Sequence, residues 1–318
     1  MIKMFRLLLV VVFFLPAFGL LADEPEINAE QWLEKMSQAM NTLNYQGTVA
    51  FFKNARLDTM RYSHSAHQGL EQERLLSLNS PMREIIRDAG KISCVFEKSK
   101  EIIVNHRPVS KSFIIDLPSD FSALKTVYQY SLGTEESVAM RSARIIFINP
   151  LDEFRYPRKI WIDKEYFLPL KVEVYNFSGE VLKQVVFTNI QIVDTLDFVE
   201  VGKNLGKENT KHIHLLDAVP LEKTDFTLEH LPAGFQVVFV TRIDVGDSAK
   251  NVDHLFLSDG FSSVSVYREA EAEGVQLGLQ VLGSVNSFTH VFGNRQITAM
   301  GDVPVKTVQV IAQGVTSK

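Results

Sequence analysis

The chain contains 318 residues, with 33 lysines and arginines, 38 aspartates and glutamates, and a single cysteine. At roughly 100–200 residues per domain, this length predicts two domains. Hydrophobic residues make up 46% and charged residues 22% of the chain, which excludes a largely disordered protein and a polytopic membrane protein. The net charge of −5 provides no basic face for nucleic acid. One cysteine excludes an internal disulfide and a thiolate zinc site.

Residues 1–22 have the pattern of a secretory signal peptide. Lys3 and Arg6 precede an uninterrupted apolar run, and small residues follow it. We predict cleavage after Gly19 or Ala22 and a mature protein in the periplasm, since large domains do not require disulfides there. An uncleaved anchor is the alternative, but the apolar segment is shorter than the ~20 residues that cross a bilayer.

The first element of the mature chain is a helix. Asn28 is a suitable N-cap, and Gln31 completes a capping box with it. The helix is expected to end near Asn44, because the residues that follow are β-branched and aromatic. Its apolar face consists of Trp32, Met36, Met40 and Leu43.

Short runs with strand-like composition follow as far as about residue 192. They are Met60–His64, Arg83–Arg87, Ile92–Phe96, Ile102–Asn105, Ser142–Ile148, Lys159–Ile162, Leu170–Tyr175 and Val181–Ile190. One interruption predicts a second helical segment, which starts after Asp120 and has Phe121, Leu124 and Tyr128 on one face. These elements predict an α+β, mostly antiparallel β fold, with a curled sheet wrapped around helix. The concave side of such a sheet suits a lipid or a peptide.

Residues 198–220 lose the two-residue alternation and are interpreted as a linker between a first domain, 23–197, and a second domain, 221–318. The second domain is predicted to be smaller, rich in β-strands, and to end in a helix that starts at Pro304. Its strands are expected at Gln236–Arg242, His254–Leu257, Ser262–Tyr267, from Val281 onward, and at Gln296–Met300.

No motif indicates catalysis, and we predict no catalytic residue, no metal site and no cofactor. Cys94 lies in a strand-like run, where a small, partly apolar residue is the ordinary expectation. His212 and His214, with Asp217, have a spacing that suits a metal only weakly, and a solvated linker is the favoured interpretation. Solvated positions in turns or at strand ends are also expected for His64, His67, Glu135, Glu136, Asp152 and Glu153.

Aromatic and methionine side chains of the first domain are candidates for a lipid pocket. Phenylalanine is abundant, with 22 residues, and methionine packs adaptably. Periodicity cannot separate a pocket from an ordinary core, so both interpretations remain open. The candidates are Trp32, Met36, Met40, Phe51, Phe113 and Phe121.

An ordered set of motifs resembles the MucB/RseB family over essentially the whole mature chain. The motifs are Leu43–Thr48, Arg61–His64, Glu73–Arg87, Asn149–Tyr156, Ile160–Asp163, Leu168–Lys171, Gly179–Leu182, Leu231–Phe235, Leu257–Val266 and Met300–Pro304. The chain departs from the family pattern at Asn79-Ser80, where Asp-Gly is usual, and at Phe226, where tryptophan is usual.

The resemblance implies a periplasmic negative regulator of sigma-E type envelope-stress signalling. The first domain would be a LolA/LolB-like half-barrel with helices on its concave side, which receives acyl chains of lipid or lipopolysaccharide. The second domain would hold the periplasmic segment of a membrane-bound anti-sigma factor and shield it from the site-1 protease, until lipid binding favours release. The residues expected to bind this partner are Ser258, Asp259, Gly260 and Phe261.

Two further functions remain open as alternatives. A periplasmic lipid or lipoprotein carrier of the LolA type would use the first domain alone, and an envelope hydrolase would use Cys94 or a histidine. The sequence does not give the oligomeric state. The resemblance implies self-association, of which a homodimer is one form.

Overall fold

The computed structural model describes residues 27–79, 81, 83–88, 90–96, 101–106, 112–201, 210–215, 218–243, 251–272 and 274–318. The predicted signal peptide lies outside these ranges. Within them, no helix is both long enough and apolar enough to cross a membrane.

Helix α1 spans Ala29–Thr42 and begins at the predicted cap. The backbone N–H of Gln31 donates to Asn28 Oδ1 at 3.0 Å, and the N–H of Asn28 donates to Gln31 Oε1 at 2.9 Å. This reciprocal pair satisfies two of the N–H groups that the start of a helix leaves without partners. The predicted capping box is therefore confirmed.

Twelve strands form the sheet of the first domain. They are β1 Asn44–Lys53, β2 Arg56–His67, β3 Leu70–Ser77, β4 Arg83–Asp88, β5 Lys91–Phe96, β6 Glu101–His106, β7 Tyr128–Val138, β8 Arg141–Pro150, β9 Arg158–Asp163, β10 Pro169–Tyr175, β11 Val181–Val193 and β12 Thr210–Leu215. Their order is β12-β6-β5-β4-β3-β2-β1-β11-β10-β9-β8-β7. Neighbours are antiparallel except β12, which runs parallel to β6.

The inner face of this sheet is covered by α1 and by residues 112–121, which we call the inner strap. The strap crosses the sheet without regular secondary structure, and its Ile114, Ile115 and Phe121 are buried in the same apolar cluster as the face of α1. The cluster also includes Tyr45, Tyr62, Tyr128, Ile146, Ile160, Val172, Val185 and Phe187 from the strands.

The second domain contains a six-stranded antiparallel sheet, a two-stranded sheet and one helix. Its elements are β13 Phe226–Leu228, β14 Gln236–Ile243, β15 Val252–Ser258, β16 Ser263–Ala270, β17 Gly278–Leu282, β18 Val285–Phe292, β19 Arg295–Gly301, α2 Val305–Gln313 and β20 Val315–Ser317, with a short 3-10 helix at Leu221–Lys223. The larger sheet has the order β14-β15-β16-β19-β18-β17, and β13 pairs with β20. Val308 and Ile311 of α2 are fully buried in the core of this domain.

The predicted second helical segment is wrong in its extent. Ser122–Thr126 form one short 3-10 helix, and Tyr128 already begins β7. Asp120 Oδ1 accepts the N–H of Ser122 at 2.8 Å, so the helix start is present. The helix ends there because the following residues pair with β8, and this long-range pairing overrides the helical spacing.

Several strands lack a recognisable strand pattern in the sequence. β3, β7, β12, β13 and β20 were not predicted, and the single run from Val281 is two strands, β17 and β18. β3 is rich in Glu, Gln and Leu, which favour helix, and it forms a strand because it pairs with β2 and β4 on both sides. α2 begins at Val305, one residue after the position predicted, with Pro304 as its N-cap.

Part of the segment interpreted as a linker, 198–220, is ordered against the first sheet. β12 lies within it and pairs with β6. The backbone of Val199 also exchanges two hydrogen bonds with the Gln72 side chain, at 2.7 and 3.0 Å. The predicted fold class is confirmed: the fold is mostly antiparallel β with two α-helices, an open curled sheet, and a separate β-rich domain that carries the second helix.

Candidate functional site: the interface between the two domains

The six candidates for a lipid pocket lie in one apolar cluster on the inner face of the first sheet. Trp32, Met36, Met40 and Phe121 are buried, whereas Phe51 and Phe113 are partly buried against them. The ring of Trp32 packs on Phe167 with centroids 5.1 Å apart. In this conformation the face of α1 fills the concave side of the sheet as a packed core.

The four candidates for partner binding lie in the turn that joins β15 to β16. Asp259 Oδ1 accepts the backbone N–H groups of Phe261 and Ser262 at 2.9 and 2.6 Å, which orders the turn. Ser258 supports it through its hydroxyl, which donates to the carbonyl of Ser262 at 2.9 Å. Gly260 has φ +101°, and a Cβ at this position would lie 2.5 Å from Cβ of Pro118 in the inner strap. The turn therefore packs directly on the first domain.

Asp259 is also half of a buried ion pair between the domains. Its Oδ2 accepts a hydrogen bond from Arg155 Nε at 2.6 Å and another from the Tyr128 hydroxyl at 2.8 Å. The side chains of Arg155 and Asp259 are both 0% exposed. Arg155 donates its remaining groups to the Asp152 carboxylate and to the Ala233 carbonyl. Burial, and then the charge of Asp259, raises the pKa of Tyr128, which therefore stays a neutral donor.

Phe261 extends this contact into the core of the first domain. Its ring lies 5.3 Å from Tyr128 and 6.0 Å from Phe121, measured between centroids. Arg158 of β9 donates to the carbonyl of Phe261 at 2.7 Å and to the hydroxyl of Ser262 at 3.0 Å. We call the set Tyr128, Arg155, Arg158, Asp259, Phe261 and Ser262 the inner contact.

A second set of contacts joins the domains nearer the solvent. Lys53 Nζ pairs with Asp302 Oδ2 at 2.9 Å, and the N–H of Ser284 donates to Asn54 Oδ1 at 2.9 Å. Nearby, Lys306 Nζ pairs with Glu153 Oε1 at 2.6 Å. We call these three pairs, Lys53–Asp302, Asn54–Ser284 and Glu153–Lys306, the outer contact.

A cleft of about 740 Å³ opens between the inner strap and the second domain. It brings together residues from both candidate sets: Met40 lies on one side, and Ser258, Asp259 and Gly260 lie on the other. Gln236–Val238 of β14 also line the cleft. β14 is the last strand on its side of the six-stranded sheet, so this wall is a sheet edge.

The inner strap is anchored by a buried carboxylate that sequence reasoning did not identify. Glu73 is 1% exposed, and it accepts hydrogen bonds from Tyr62, Arg87, and both the hydroxyl of Ser112 and the N–H of Phe113. The distances are 2.8, 3.0, 2.6 and 2.8 Å respectively. Burial, followed by the charge of Glu73, raises the pKa of Tyr62. Glu73 thus ties the start of the strap to β3.

Glu135, Glu136 and Glu153 are exposed, as predicted for solvated carboxylates, but these residues and Asp152 also have specific partners that the sequence did not show. Asp152 pairs with Arg155, and Glu135 lies within β7 rather than in a turn and pairs with Lys164 at 2.6 Å. Glu136 accepts the indole N–H of Trp161 at 2.8 Å. These partners come from other strands or a neighbouring turn, so sequence spacing could not reveal them.

The titratable residues weighed for catalysis or metal binding do not converge. Cys94 is half-buried in β5, and the side chain of His212 is exposed in β12. The side chain of His214 and residue Asp217 lie outside what the structure describes. His64 is buried rather than solvated, with Nδ1 2.7 Å from the carbonyl of Leu43. Among the described residues, no group of three or more His, Cys, Asp or Glu could hold a metal ion.

Sequence reasoning missed the inner contact as a site. It identified the runs that contain Arg155 and Asp259 as motifs, but these two residues are 104 positions apart. The available signal was the presence of Arg155 and Asp259 within these two motifs, which contain other polar residues as well. Nothing in the sequence paired one with the other.

Comparison with known proteins gives consistent results across both domains. The family model described as the MucB/RseB N-terminal domain matches residues 28–205, and the model described as the MucB/RseB C-terminal domain matches residues 220–316. The sigma-E factor regulatory protein RseB of Haemophilus influenzae is 25% identical over 307 residues, which cover 93% of this chain and 93% of that protein.

Two further similarities involve Pseudomonas aeruginosa. Its sigma factor AlgU regulatory protein MucB is 27% identical over 299 residues, which cover 90% of each chain. A solved structure described as the MucA/MucB complex of this organism superposes with a TM-score of 0.70 at 23% identity, covering 91% of this chain and 99% of that chain. At this identity the superposition shows a shared fold.

Proposed function

The chain belongs to the MucB/RseB family, and on that premise we propose that it is a periplasmic negative regulator of sigma-E type signalling. It binds the periplasmic segment of a membrane-bound anti-sigma factor and protects that segment from site-1 proteolysis. The observation that carries the proposal is the match of both family models, in order, to the two domains. The names of the relatives describe regulation, and we assign no catalytic role.

The partner class follows from the relatives. One solved structure is described as MucB in complex with the periplasmic part of MucA, and we infer the same class of partner for this chain. We infer that the mature protein is periplasmic after cleavage following Gly19 or Ala22, which mass spectrometry of the secreted protein tests. A homodimer stays a prediction, which light scattering of the purified protein tests.

We place the partner segment in the cleft between the inner strap and the second domain. The edge of β14 supports this choice, because an extended peptide can add to a free sheet edge through main-chain hydrogen bonds. The chain itself uses the neighbouring part of this edge: the N–H of Val219 donates to the carbonyl of Val240 at 2.7 Å, and Ala218 bridges to Thr241. A partner strand would continue this pairing along Gln236–Val238.

Lipid is proposed to act by shifting a conformational equilibrium. The concave side is filled by α1 and the inner strap, so an acyl chain enters only when these side chains move aside. The strap packs on the turn at Gly260, and a displaced strap would therefore disturb the inner contact. A lipid releases the partner only if it binds the displaced arrangement more tightly than the packed one.

The proposal is tested by cleavage kinetics with the mature protein, the partner's periplasmic segment and the site-1 protease. We expect the protein to slow cleavage by about tenfold or more at saturation, and lipopolysaccharide to restore the rate. Val238→Lys places a charge on the cleft-lining edge and is expected to abolish protection. Val281→Lys makes the same change on β17, at the opposite edge of the same sheet, and should retain protection. Cleavage that proceeds unslowed by the wild-type protein contradicts the proposed function.

The alternative, a carrier of the LolA type, places the lipid function in the first domain alone. The buried pair of Arg155 and Asp259 argues against independent domains, because an ion pair is buried only when both partners remain docked. Transfer of a fluorescent acyl probe between vesicles, at equal rates with and without the anti-sigma segment, would favour the carrier.

A further inference from the structure

A small cavity of about 80 Å³ lies between the domains, separate from the large cleft. Its floor is the inner face of β9, β10 and β11, and one wall is the inner strap at Ile114–Asp116. The second domain closes it with Phe261–Ser263, Ser284 and Asp302. This volume is several times the roughly 10–15 Å³ that one enclosed water needs, so it accommodates a group of a few non-hydrogen atoms.

Lys183 of β11 lines this cavity without a partner among the described residues, since its ammonium forms neither a hydrogen bond nor an ion pair there. Burial disfavours the charged form and lowers the pKa of Lys183, although Asp302 opposes this shift. A cation in such a position gains stability from any anion that reaches it.

The other charges around the cavity leave an excess of positive charge. Both oxygens of Asp302 are engaged, one by Lys53 Nζ at 2.9 Å and the other by the Ser284 hydroxyl at 2.7 Å. Asp116 is the second lining carboxylate. Arg158 donates its two terminal groups to the second domain, but its buried Nε has no hydrogen-bond acceptor. Lys183 and Arg158 thus line the cavity together with Asp116 and Asp302. Because Lys53, outside the lining, already pairs with Asp302, the two lining cations face one further carboxylate.

The remaining walls are apolar. They include Ile114, Ile115, Val172, Val174, Val185 and Phe261. All of these except Val174 belong to the apolar cluster that α1 covers on the concave face. One end of the cavity is therefore cationic, and its apolar side is continuous with the core on the concave face. This arrangement matches the two parts of an amphiphile, a charged head and a hydrocarbon chain.

We propose that this cavity is the head-group site for an anionic amphiphile, with a carboxylate or phosphate bound by Lys183 and Arg158 and the chain directed into the concave face. The inference rests on the proposed response to lipid and assigns it a specific site. Because Ser263, Ser284 and Asp302 come from the second domain, the occupied site includes groups from both domains. Head-group binding is thereby linked to the relative placement of the domains.

The test measures binding of four probes to the full mature protein by calorimetry: decanoate, decyl phosphate, decanol and inorganic phosphate. We expect both ten-carbon anions to bind at least about tenfold more tightly than decanol and than inorganic phosphate. The comparison of decanoate with decyl phosphate distinguishes a fatty-acid carboxylate from a phosphorylated lipid as the source. Equal affinity for decanol, equal affinity for inorganic phosphate, or no binding of either anion overturns the proposal.

Substitutions of Lys183 and of a control lysine test whether the anions bind in this cavity. Lys183→Met should weaken both anions by about tenfold or more, whereas Lys183→Arg should stay within about threefold of wild type. Lys159→Met is the matched control, because Lys159 lies on β9 of the same sheet and does not line the cavity. Its ammonium lies over the rings of Phe147 and Tyr175. Urea denaturation of Lys183→Met should show no loss of stability, since the substitution removes a partly buried cation that has no partner among the described residues. Unchanged anion affinity in Lys183→Met overturns the proposal.

The outcome is separable from that of the proposed function. Protection of the anti-sigma segment is measured without any amphiphile, so its failure contradicts the regulatory role alone. If Lys183→Met binds the anions as tightly as wild type does, and the wild-type protein still protects the anti-sigma segment, only the site assigned here is contradicted.

Discussion

The inner and outer contacts join the same two domains but differ in burial. The side chains of Arg155 and Asp259 in the inner contact are both 0% exposed. In the outer contact, Lys53 and Asp302 are each 36% exposed, and Lys306 and Glu153 are 49% and 67% exposed. Each set contains ion pairs with hydrogen-bonding geometry, so distance alone does not rank them.

The difference in burial predicts different energetic roles. Removing one partner of a buried pair leaves a charge without water or counter-ion, which costs about 3–5 kcal/mol. An exposed pair contributes about 0–1 kcal/mol because water replaces the lost partner. We therefore expect the inner contact to hold the two domains in one arrangement. We expect the outer contact to make only a small contribution to the free energy of that arrangement.

The largest effect is expected for Asp259→Ala. This change leaves the buried Arg155 with only the partly exposed Asp152 as counter-ion and should lower the free energy of unfolding by about 3–5 kcal/mol, measured by urea denaturation. Asp58→Ala is the control, because Asp58 is exposed on β2. A loss below about 1 kcal/mol for Asp259→Ala would contradict the distinction between the two contacts.

Gly260→Ala tests the packing of the same turn without removing a charge. The new Cβ would meet Pro118 at 2.5 Å, so we expect a loss of about 1–3 kcal/mol from overpacking, in addition to backbone strain at φ +101°. Gly274→Ala carries similar strain at φ +80° but has nothing within 4 Å of the new Cβ. If the two variants unfold at the same urea concentration, the proposed packing of the strap on the turn is wrong.

The outer contact is expected to respond to pH. Burial alone would raise the pKa of Asp302, but the hydrogen bond and charge of Lys53 and the hydrogen bond from Ser284 together hold it below its usual value of 3.8. A lowered pKa stabilises the folded protein above that value, and this contribution is lost as the pH falls through the folded pKa. Lys53→Met should therefore lower stability at neutral pH by less than about 1 kcal/mol and reduce the loss on acidification.

Denaturation of Lys53→Met and wild type at about pH 7 and about pH 3 measures this effect. Lys125→Met is a suitable control, because Lys125 pairs with Glu30 of α1, within the first domain. An equal acid loss in wild type and Lys53→Met would show that Lys53 does not set the pKa of Asp302.

The smallest effect is expected for Lys306→Ala. Lys306 and Glu153 are both largely exposed, so removing the pair should change the free energy of unfolding by no more than about 0.5 kcal/mol. The same urea titration measures it. A loss comparable with that of Asp259→Ala would show that burial is the wrong criterion for ranking these contacts.

Local interactions account for the parts of the fold that the sequence predicted well. The cap of α1 depends on Asn28 and Gln31, three positions apart, and alternating apolar residues mark most central strands. β3 and β7 were missed because their local composition or spacing favours helix, whereas their strand conformation depends on pairing with β2, β4 and β8.

The candidate site shows the same division. Sequence motifs identified Ser258–Phe261 as candidates. The contacts of Asp259 with Arg155 and Tyr128 were not predicted, because they join residues more than 100 positions apart. The two methionines and the tryptophan of α1 were identified as either core or pocket, and only the packed inner strap distinguishes these states in this conformation. Periodicity indicates which face of an element is apolar, but it does not indicate which residues cover that face.

The two domains, their β-rich class, the first helix with its cap, and the family were all predictable from the amino-acid sequence. Each of these depends on composition, on short-range hydrogen bonds or on ordered motifs. The tertiary structure alone decided that Asp259 is buried against Arg155, that the strap lies under the turn at Gly260, and that Lys183 faces a cavity closed by the second domain. These features depend on which distant residues meet, and burial then sets the free energy of each charge.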